Sequence, residues 1–292
     1  MITLFSTPKN FTGIFNDIQL NALRSWRSIS NEIQIIILGD SNGSKEAALE
    51  INAEYIPIVK STNSGIPYLS DLFKQAENRA RYDVMTFINA DIILPDNFLD
   101  FIPLLTKNFN KYLMIGHRWD MDVMNQIDFK NKKNINKFWN LAEDSSQMHA
   151  CTGIDYFIFK KNQWGRIPDF AIGRPGYDNW LIWNARRHFI PVIDASNYLK
   201  VIHQNHNYNF HNLNADPKVI LEEDGLNNKK IHGNKTLNLL DTNYQLEKGV
   251  IIKKTSKEYI NRNLGKLPII FPELAIPLSF YKRFIRRYFY KK

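Results

Sequence analysis

The segment Phe87–Leu94, FINADIIL, places two polar residues, Asn89 and Asp91, within an otherwise apolar run. Such a run is typical of a strand that is buried on both faces. Asn and Asp at its end are either turn residues, where the strand leaves the core, or oxygen ligands of a divalent cation. Residues two apart on a strand face the same side, so in the second interpretation the two side chains act together.

Apolar strands alternate with helices on both sides of this segment. Strands are predicted in MITLFSTP, EIQIIILGD, IPIV and DVMTFINADIIL, and helices in NDIQLNALRSWRSI, GSKEAALEIN and YLSDLFKQAENRA. This alternation predicts an α/β fold with a parallel sheet built through right-handed crossovers. Ligands bind at the carboxyl ends of such strands, and polar residues lie at three of those ends: Ser6–Pro8, Gly39–Asp40 and Asn89–Asp91.

The pattern is less regular in the second half. Short strands are predicted in KYLMIGHRW, DYFIFKKNQW, IPVIDAS and YLKVIHQNH, and a helix in YDNWLIWNARRH. Residues 212–263 are polar, with one strand-like stretch, GVIIKK. No repeat or linker separates the halves, so we expect them to share one core.

Composition limits the classes of partner. The 292 residues carry a formal net charge of +9, which favours anionic partners such as phosphorylated ligands, acidic lipid or nucleic acid. The single cysteine, Cys151, excludes an intrachain disulfide, as is usual in a reducing compartment. No apolar run reaches the roughly 18 residues of a membrane span, and the first residues do not resemble a signal peptide. We therefore expect a cytoplasmic protein.

Three stretches resemble the GT-A nucleotide-sugar glycosyltransferases of the family 2 type: LFSTPK, IIILGD and ARYDVMTFINADIIL. The resemblance, which covers Met1 to about His211, implies a Rossmann-like three-layer sandwich with a mostly parallel central sheet. It implies one domain over residues 1–265, in which 1–110 bind the nucleotide sugar and 111–265 the acceptor.

The same resemblance assigns the donor site. The family pattern is Asp-x-Asp, whose last acid binds Mn²⁺ or Mg²⁺; Asp91 keeps that position and Asn89 replaces the first acid. Asp40 would contact the base or ribose of the nucleotide, and Thr7 and Pro8 would line its pocket. A simple turn in DSNG is the alternative explanation for Asp40.

A second group lies in CTGIDYF and GRPGYDNWL. Asp178 begins a predicted helix, where an acid is often only an N-cap. In inverting GT-A enzymes a carboxylate at such a helix start deprotonates the acceptor hydroxyl, so the resemblance implies Asp178 as general base. Asp155 and Tyr177 are assigned to the acceptor side, and Arg174 to the diphosphate, whose geometry a guanidinium matches. A turn residue and a solvated loop residue are the alternatives for Asp155 and Arg174.

The stretch VIHQNHNYNFH contains His203, His206 and His211. The His-x-x-His spacing occurs in zinc sites, but no Cys or Glu set accompanies it. GT-A enzymes often take a further metal ligand, commonly His, from a late strand. The resemblance therefore assigns His203 to the metal together with Asp91; polar packing is the alternative.

Residues 266–292 form a predicted basic amphipathic tail. From Leu278 onwards, apolar and aromatic residues fall on one helical face and Lys282, Arg283, Arg286 and Arg287 on the other. This division is typical of a helix that lies on anionic lipid; a terminal helix packed on the protein is the alternative. We expect a peripheral location on the inner face of the membrane.

These features together predict a metal-dependent, inverting glycosyltransferase. It would move a sugar from a nucleotide-sugar donor to a hydroxyl of a glycan or lipid-linked acceptor, in surface polysaccharide or glycoconjugate synthesis. A sugar-phosphate nucleotidyltransferase would need a Gly-rich basic loop after the first strand, which FSTPKNFTG lacks. A non-catalytic membrane- or nucleic-acid-binding module is the third hypothesis. Basic residues are not dense enough outside the tail for single-stranded nucleic acid, so no nucleic-acid partner is expected.

Overall fold

The computed structural model describes residues 1–206 and 222–276. Its strands are β1 (Thr3–Ser6), β2 (Gln34–Leu38), β3 (Glu54–Ile56), β4 (Val84–Ile88), β5 (Ile92–Ile93), β6 (Leu113–Ile115), β7 (Arg118–Met121), β8 (Gln147–Met148), β9 (Tyr156–Lys160), β10 (Val192–Asp194), β11 (Val201–Gln204), β12 (Tyr244–Glu247) and β13 (Val250–Lys253). Its helices are α1 (Ile14–Ile29), α2 (Ser44–Glu50), α3 (Leu69–Arg79), α4 (Ile102–Asn108), α5 (Lys132–Ser145), α6 (Tyr177–Arg187), α7 (Glu223–His232) and α8 (Lys257–Ile270).

A nine-stranded sheet runs through the centre in the order β13-β12-β10-β6-β9-β4-β1-β2-β3. Five of its neighbouring pairs are parallel. Strand β9 lies antiparallel between β4 and β6, and β13 is an antiparallel edge strand. A smaller sheet has the order β5-β11-β7-β8. The predicted α/β class with a mostly parallel central sheet is therefore confirmed.

The apolar strands supply both faces of the central sheet because successive side chains point to opposite sides. Leu4 packs in one core cluster with Leu23 and Trp26 of α1. Its neighbour Phe5 packs in the other cluster, with Phe73 of α3 and residues of α6. Helices thus cover both faces, and the result is the predicted three-layer sandwich.

The polar motif does not lie on one continuous strand. Strand β4 ends at Ile88, and β5 begins at Ile92 in the smaller sheet. The segment Asn89–Asp91 is the turn between them. The prediction that Asn89 and Asp91 face the same side as strand neighbours was wrong, because the chain changes sheets at this turn.

Three other element predictions also needed correction. KYLMIGHRW divides into β6 and β7, which belong to different sheets. The strand predicted at IPIV lies two residues earlier, at β3. In the polar region 212–263 only one strand was predicted, at GVIIKK. Its described part contains the helix α7, the strands β12 and β13 and the start of the helix α8. Their polar composition concealed them.

The predicted halves 1–110 and 111–265 share the central sheet, since β9 from the second half pairs with β4 from the first. The predicted start of the tail, at 266, lies inside α8. Ile270 there is buried, and Trp183 Nε1 donates to the Ile269 carbonyl at 2.8 Å. The amphipathic stretch from Leu278 lies outside the described residues, as does His211. Within 1–206 and 222–276, no helix combines the length and apolarity needed to cross a bilayer.

Candidate functional site

The carboxyl ends of three neighbouring parallel strands form one edge of the central sheet, because β2 and β4 both pair with β1. Thr7 follows β1, and Gly39 and Asp40 follow β2. Gly39 has φ of +96°, and a Cβ built on it would lie 3.3 Å from Thr7 Oγ1. The Pro8 carbonyl accepts a hydrogen bond from Ser41 Oγ at 2.8 Å. The structure thus brings Thr7, Pro8 and the exposed Asp40 to the same edge as the β4 turn.

Asp91 lies in that turn, beside two histidines, His203 and His206, that come much later in the sequence. Its Oδ2 lies 3.3 Å from His206 Nε2 and 3.7 Å from His203 Nε2. The three residues can each offer one ligand atom to a common point, all within 4.8 Å of one another. The predicted pair Asp91 and His203 is therefore brought together, and His206 joins it.

Buried polar contacts fix the main chain around Asp91. Gln204, which is fully buried, donates through Nε2 to the carbonyls of Asp91 at 3.1 Å and Ile18 at 2.8 Å. Trp26 Nε1 donates to the Ile92 carbonyl at 2.8 Å. The turn that carries the carboxylate is therefore tied to Gln204 of β11, and both this glutamine and the start of β5 are tied to α1.

The donor set fits a divalent cation. Asp91 Oδ1 is buried and has no hydrogen-bond partner among the described residues, an arrangement that needs an explanation. Burial alone raises the pKa of Asp91. The charge of His203, the hydrogen bond with His206 and the charge of Arg118 outweigh that effect and hold the pKa well below its usual range. The carboxylate is therefore ionised at neutral pH, as a metal ligand must be.

A second carboxylate, Asp120 of β7, lies behind His203. Its Oδ1 lies 3.0 Å from His203 Nδ1 and 2.9 Å from Arg118 Nε, and its Oδ2 lies 2.5 Å from His149 Nδ1. Burial raises the pKa of Asp120, but the contacts with His149, His203 and Arg118 lower it further than burial raises it. Asp120 is thus ionised and shared among three cationic or polar partners.

Asp155 is held on both of its oxygens. Asn89 Nδ2 donates to Oδ1 at 2.6 Å, and Arg118 Nη1 pairs with Oδ2 at 2.8 Å. An acid at position 89 would set a second carboxylate against Asp155, whereas the amide of Asn89 donates to it. Asn89 therefore serves as a hydrogen-bond donor to Asp155, a role that an ionised acid at this position could not fill. Both oxygens of Asp155 serve the scaffold, and its acceptor role stays a prediction.

Asp178 lies in the first turn of α6, whose N-cap is Gly176, with φ of +106° and no side-chain cap. The N-cap alternative for Asp178 is therefore wrong. Burial, which is the largest effect, and the charge of Asp155 raise the pKa of Asp178, backbone hydrogen bonds lower it, and the net value is about 6. A carboxyl with this pKa is ionised at neutral pH and is a stronger base than an exposed aspartate.

Tyr177, the first residue of α6, lies close enough to Asp178, Asp155 and Asp91 to feel the charge of each carboxylate. It is buried and packs edge-on against Phe87 of β4. Burial, followed by the charges of Asp178, Asp155 and Asp91, raises the pKa of its hydroxyl well above its usual value. The phenol is therefore neutral, and its surroundings show that the start of α6 lies near the β4 turn.

Arg174 pairs with Glu222, with Nη2 and Oε2 2.5 Å apart. Asn228 Nδ2 donates to the Arg174 carbonyl at 3.3 Å. Within residues 1–206 and 222–276, no hydrogen bond or ion pair joins Arg174 to Asp91, so its predicted role at a diphosphate stays a prediction.

Four residues of the site were not predicted: Arg118, Asp120, His149 and His206. The His-x-x-His spacing was the signal for His206. Arg118, Asp120 and His149 gave no signal, because nothing in their local sequence shows which strands become neighbours.

No protein-family model matches this chain, and no curated protein matches it. Among solved structures, it is similar to glucosyl-3-phosphoglycerate synthase from Mycobacterium tuberculosis in complex with Mg²⁺ and uridine diphosphate (UDP), at 13% identity and a TM-score of 0.43, over 72% of this chain and 73% of that one. A complex of the same synthase with Mn²⁺, UDP-glucose and phosphoglyceric acid gives 14% identity and a TM-score of 0.44, over 72% and 73%.

S. aureus TarS 1-349 in complex with UDP is similar at 13% identity and a TM-score of 0.32, over 44% of this chain and 38% of that one. Values this low do not by themselves establish a shared family or activity.

Proposed function

We propose that this protein is a metal-dependent glycosyltransferase that uses a nucleotide-sugar donor. One observation carries the proposal: an ionised, half-buried carboxylate, whose Oδ1 is buried and unpartnered among the described residues, and two imidazoles converge at the carboxyl edge of a mostly parallel sheet, where such sheets bind ligands. Asp91, His203 and His206 are the residues that would hold Mn²⁺ or Mg²⁺. When bound there, the cation would neutralise charge on a departing nucleoside diphosphate.

The donor would occupy the edge formed by β1, β2 and β4. Thr7 and Pro8 would line the nucleotide pocket, and the exposed Asp40 would accept hydrogen bonds from the base or ribose. Asn89 would act indirectly, since its side chain holds Asp155. Arg174 would reach the diphosphate only after leaving Glu222. UDP-sugars are the first donors to test, because the similar M. tuberculosis and S. aureus structures hold UDP.

Asp178 would act as the general base of a single displacement, which inverts the anomeric centre. Its half-buried carboxylate would accept the proton of an acceptor hydroxyl held beside Tyr177 and Asp155. The acceptor would be a hydroxyl of a glycan or lipid-linked saccharide, and the product would enter surface polysaccharide or glycoconjugate synthesis. In a retaining enzyme, Asp178 would instead bind substrate.

A thermal-shift experiment tests the metal and donor site. At a donor concentration about 100-fold above Kd, binding stabilises a protein by about 2.7 kcal/mol, or roughly 5 °C in Tm. We expect a UDP-sugar to give such a shift with Mn²⁺, and Asp91→Asn to lose the Mn²⁺-dependent part. Asp96→Asn, an exposed carboxylate five residues along, is the matched control and should keep it.

Two outcomes would count against the proposal. If the Mn²⁺-dependent rise in Tm with the donor is unchanged in Asp91→Asn, Asp91 is not a metal ligand. The second outcome is that no uridine, guanosine or thymidine nucleotide sugar raises the Tm, whereas a nucleoside triphosphate together with a sugar 1-phosphate does. That result would favour a sugar-phosphate nucleotidyltransferase.

We also propose that residues 266–292 hold the enzyme on an anionic membrane, on its cytoplasmic face. Support comes from six basic residues after Lys282 inclusive and from Ile260 and Leu264, which are exposed on the same helix that precedes this stretch. Each basic residue near an anionic surface contributes about 1 kcal/mol. Deleting Leu278–Lys292 should therefore lower cosedimentation with phosphatidylserine vesicles at least about tenfold, and leave donor binding unchanged. Equal sedimentation of the full and shortened chains would contradict this location.

A further inference from the structure

We propose that Asp120 is a positioning residue that fixes the ring orientation and tautomer of His203, so that His203 Nε2 is presented to a metal ion beside Asp91. This inference rests on the metal site of the proposed function. It assigns a role to a residue that the resemblance to glycosyltransferases did not include.

The pairing of two strands places Asp120 and His203 together. Strands β7 and β11 are parallel neighbours in the smaller sheet, and Asp120 stands opposite His203 in their register. Asp120 Oδ1 and His203 Nδ1 are 3.0 Å apart. Both atoms are buried, and neither makes a hydrogen bond of good geometry among the described residues, so each lacks the partner that the other offers at 3.0 Å. Their shared register and burial make each the natural partner of the other.

The other ring nitrogen of His203 points the opposite way. Nε2 lies 3.7 Å from Asp91 Oδ2, on the side where Asp91, His203 and His206 converge. The imidazole therefore bridges two carboxylates, one behind it and one at the site. A metal ion needs a lone pair on Nε2, so the proton of the neutral ring must be on Nδ1. A carboxylate that accepts the Nδ1 proton selects that tautomer and makes the ring a stronger ligand.

Asp120 is itself held in place on both oxygens. Arg118 Nε lies 2.9 Å from Oδ1, and His149 Nδ1 lies 2.5 Å from Oδ2. The His149 ring packs on the bare face of Gly153, where a Cβ would lie 2.2 Å from His149 Cδ2. The carboxylate thus has little freedom to rotate away from His203, and its orientation is set before any metal binds.

Mn²⁺ titration of the metal-free full chain, without donor, tests the role. Loss of a partner behind a metal-bound histidine typically costs about 10- to 100-fold in affinity. We expect Asp120→Asn to raise the Kd for Mn²⁺ by about tenfold or more, measured by the electron paramagnetic resonance of free Mn²⁺. Asp122→Asn is the matched control: it removes a carboxylate two residues along, which is exposed and bonds Asn205 instead of a histidine. It should change the Kd by less than about threefold, because it alters only the general charge.

The tautomer of His203 gives a second readout that a purely structural role would not move. Long-range ¹H–¹⁵N spectra of the metal-free wild type should show His203 protonated on Nδ1, with the signal assigned by its loss in His203→Gln. In Asp120→Asn the fraction protonated on Nε2 should rise. The wild-type tautomer is read without Asp120→Asn, so this readout does not depend on that variant folding.

The outcomes separate this inference from the proposed function. An Nε2-protonated His203 in the wild type, or equal Mn²⁺ affinity in Asp120→Asn and Asp122→Asn, would overturn the role of Asp120 and leave the metal site standing. A wild-type chain that binds no Mn²⁺, with Asp91→Asn indistinguishable from it, would overturn the metal site itself.

Discussion

Asp178→Asn is expected to abolish sugar transfer and, at the same time, to stabilise the protein above about pH 6. The loss of transfer follows because an amide cannot take a proton from the acceptor hydroxyl. The gain in stability follows because the carboxylate is half-buried, and its partial desolvation raises its pKa to about 6 from 3.8. An amide of nearly the same shape avoids the cost of a buried charge.

The sign of the pH dependence follows from proton linkage. Below about pH 4 the carboxyl is protonated in both states, and the substitution should change little. Between about pH 4 and 6 the folded state binds the proton more tightly, so wild-type stability falls as pH rises. Above about pH 6 the difference from Asp178→Asn becomes constant. A shift of about 2 pH units corresponds to about 3 kcal/mol, an upper bound because the amide forms weaker bonds with the backbone at the start of α6.

Urea unfolding of both proteins at pH 4, 6 and 8, beside a transfer assay, measures the two effects. Glu223→Gln is the matched control, since Glu223 also lies in the first turn of a helix but is exposed. It should lose a few tenths of a kcal/mol at most, because it gives up a favourable helix-end charge. Sugar transfer by Asp178→Asn at the wild-type rate would show that Asp178 is not the general base. A wild type that did not lose stability relative to Asp178→Asn between pH 4 and pH 8 would contradict the raised pKa.

Arg118→Met is the substitution with the largest expected loss of stability. Arg118 joins Asp120 and Asp155, with its side chain 20% exposed and Asp155 9% exposed. Burial lowers the pKa of Arg118, but Asp155 and Asp120 raise it above its usual value, so the guanidinium stays charged. Its removal leaves two carboxylates close together without their shared cation. Breaking a buried pair in this way costs about 3–5 kcal/mol.

An exposed ion pair provides the comparison. Arg79 pairs with Glu54 at 3.1 Å, but its side chain is 63% exposed. Arg79→Met should cost about 1 kcal/mol or less, because solvent screens the pair. Both variants can be followed by urea unfolding at pH 7. Equal costs would show that the group around Arg118 is solvated and does not form a fixed charge network.

Local sequence singled out three side chains that the structure places around the site, and the resemblance to glycosyltransferases supplied their expected roles. Asp91 follows a long apolar run, His203 lies in a late strand, and Asp178 stands in the first turn of a helix after two glycines. The fold class was equally accessible, since the alternation of strands and helices repeats along the first half. The small sheet was not, because its strands are two to four residues long and interrupt longer apolar stretches.

The sequence by itself determined the alternating elements, the buried strands and the residue types capable of the chemistry. Only the tertiary structure decided which of them meet. Asp91 and His206 are 115 positions apart, and Asp120 reaches His203 only through the pairing of β7 with β11. Periodicity records how one element is buried, whereas strand order decides which elements become neighbours. That is why Asn89 proved to be the partner of Asp155, and why the network behind His203 had no signal in the sequence.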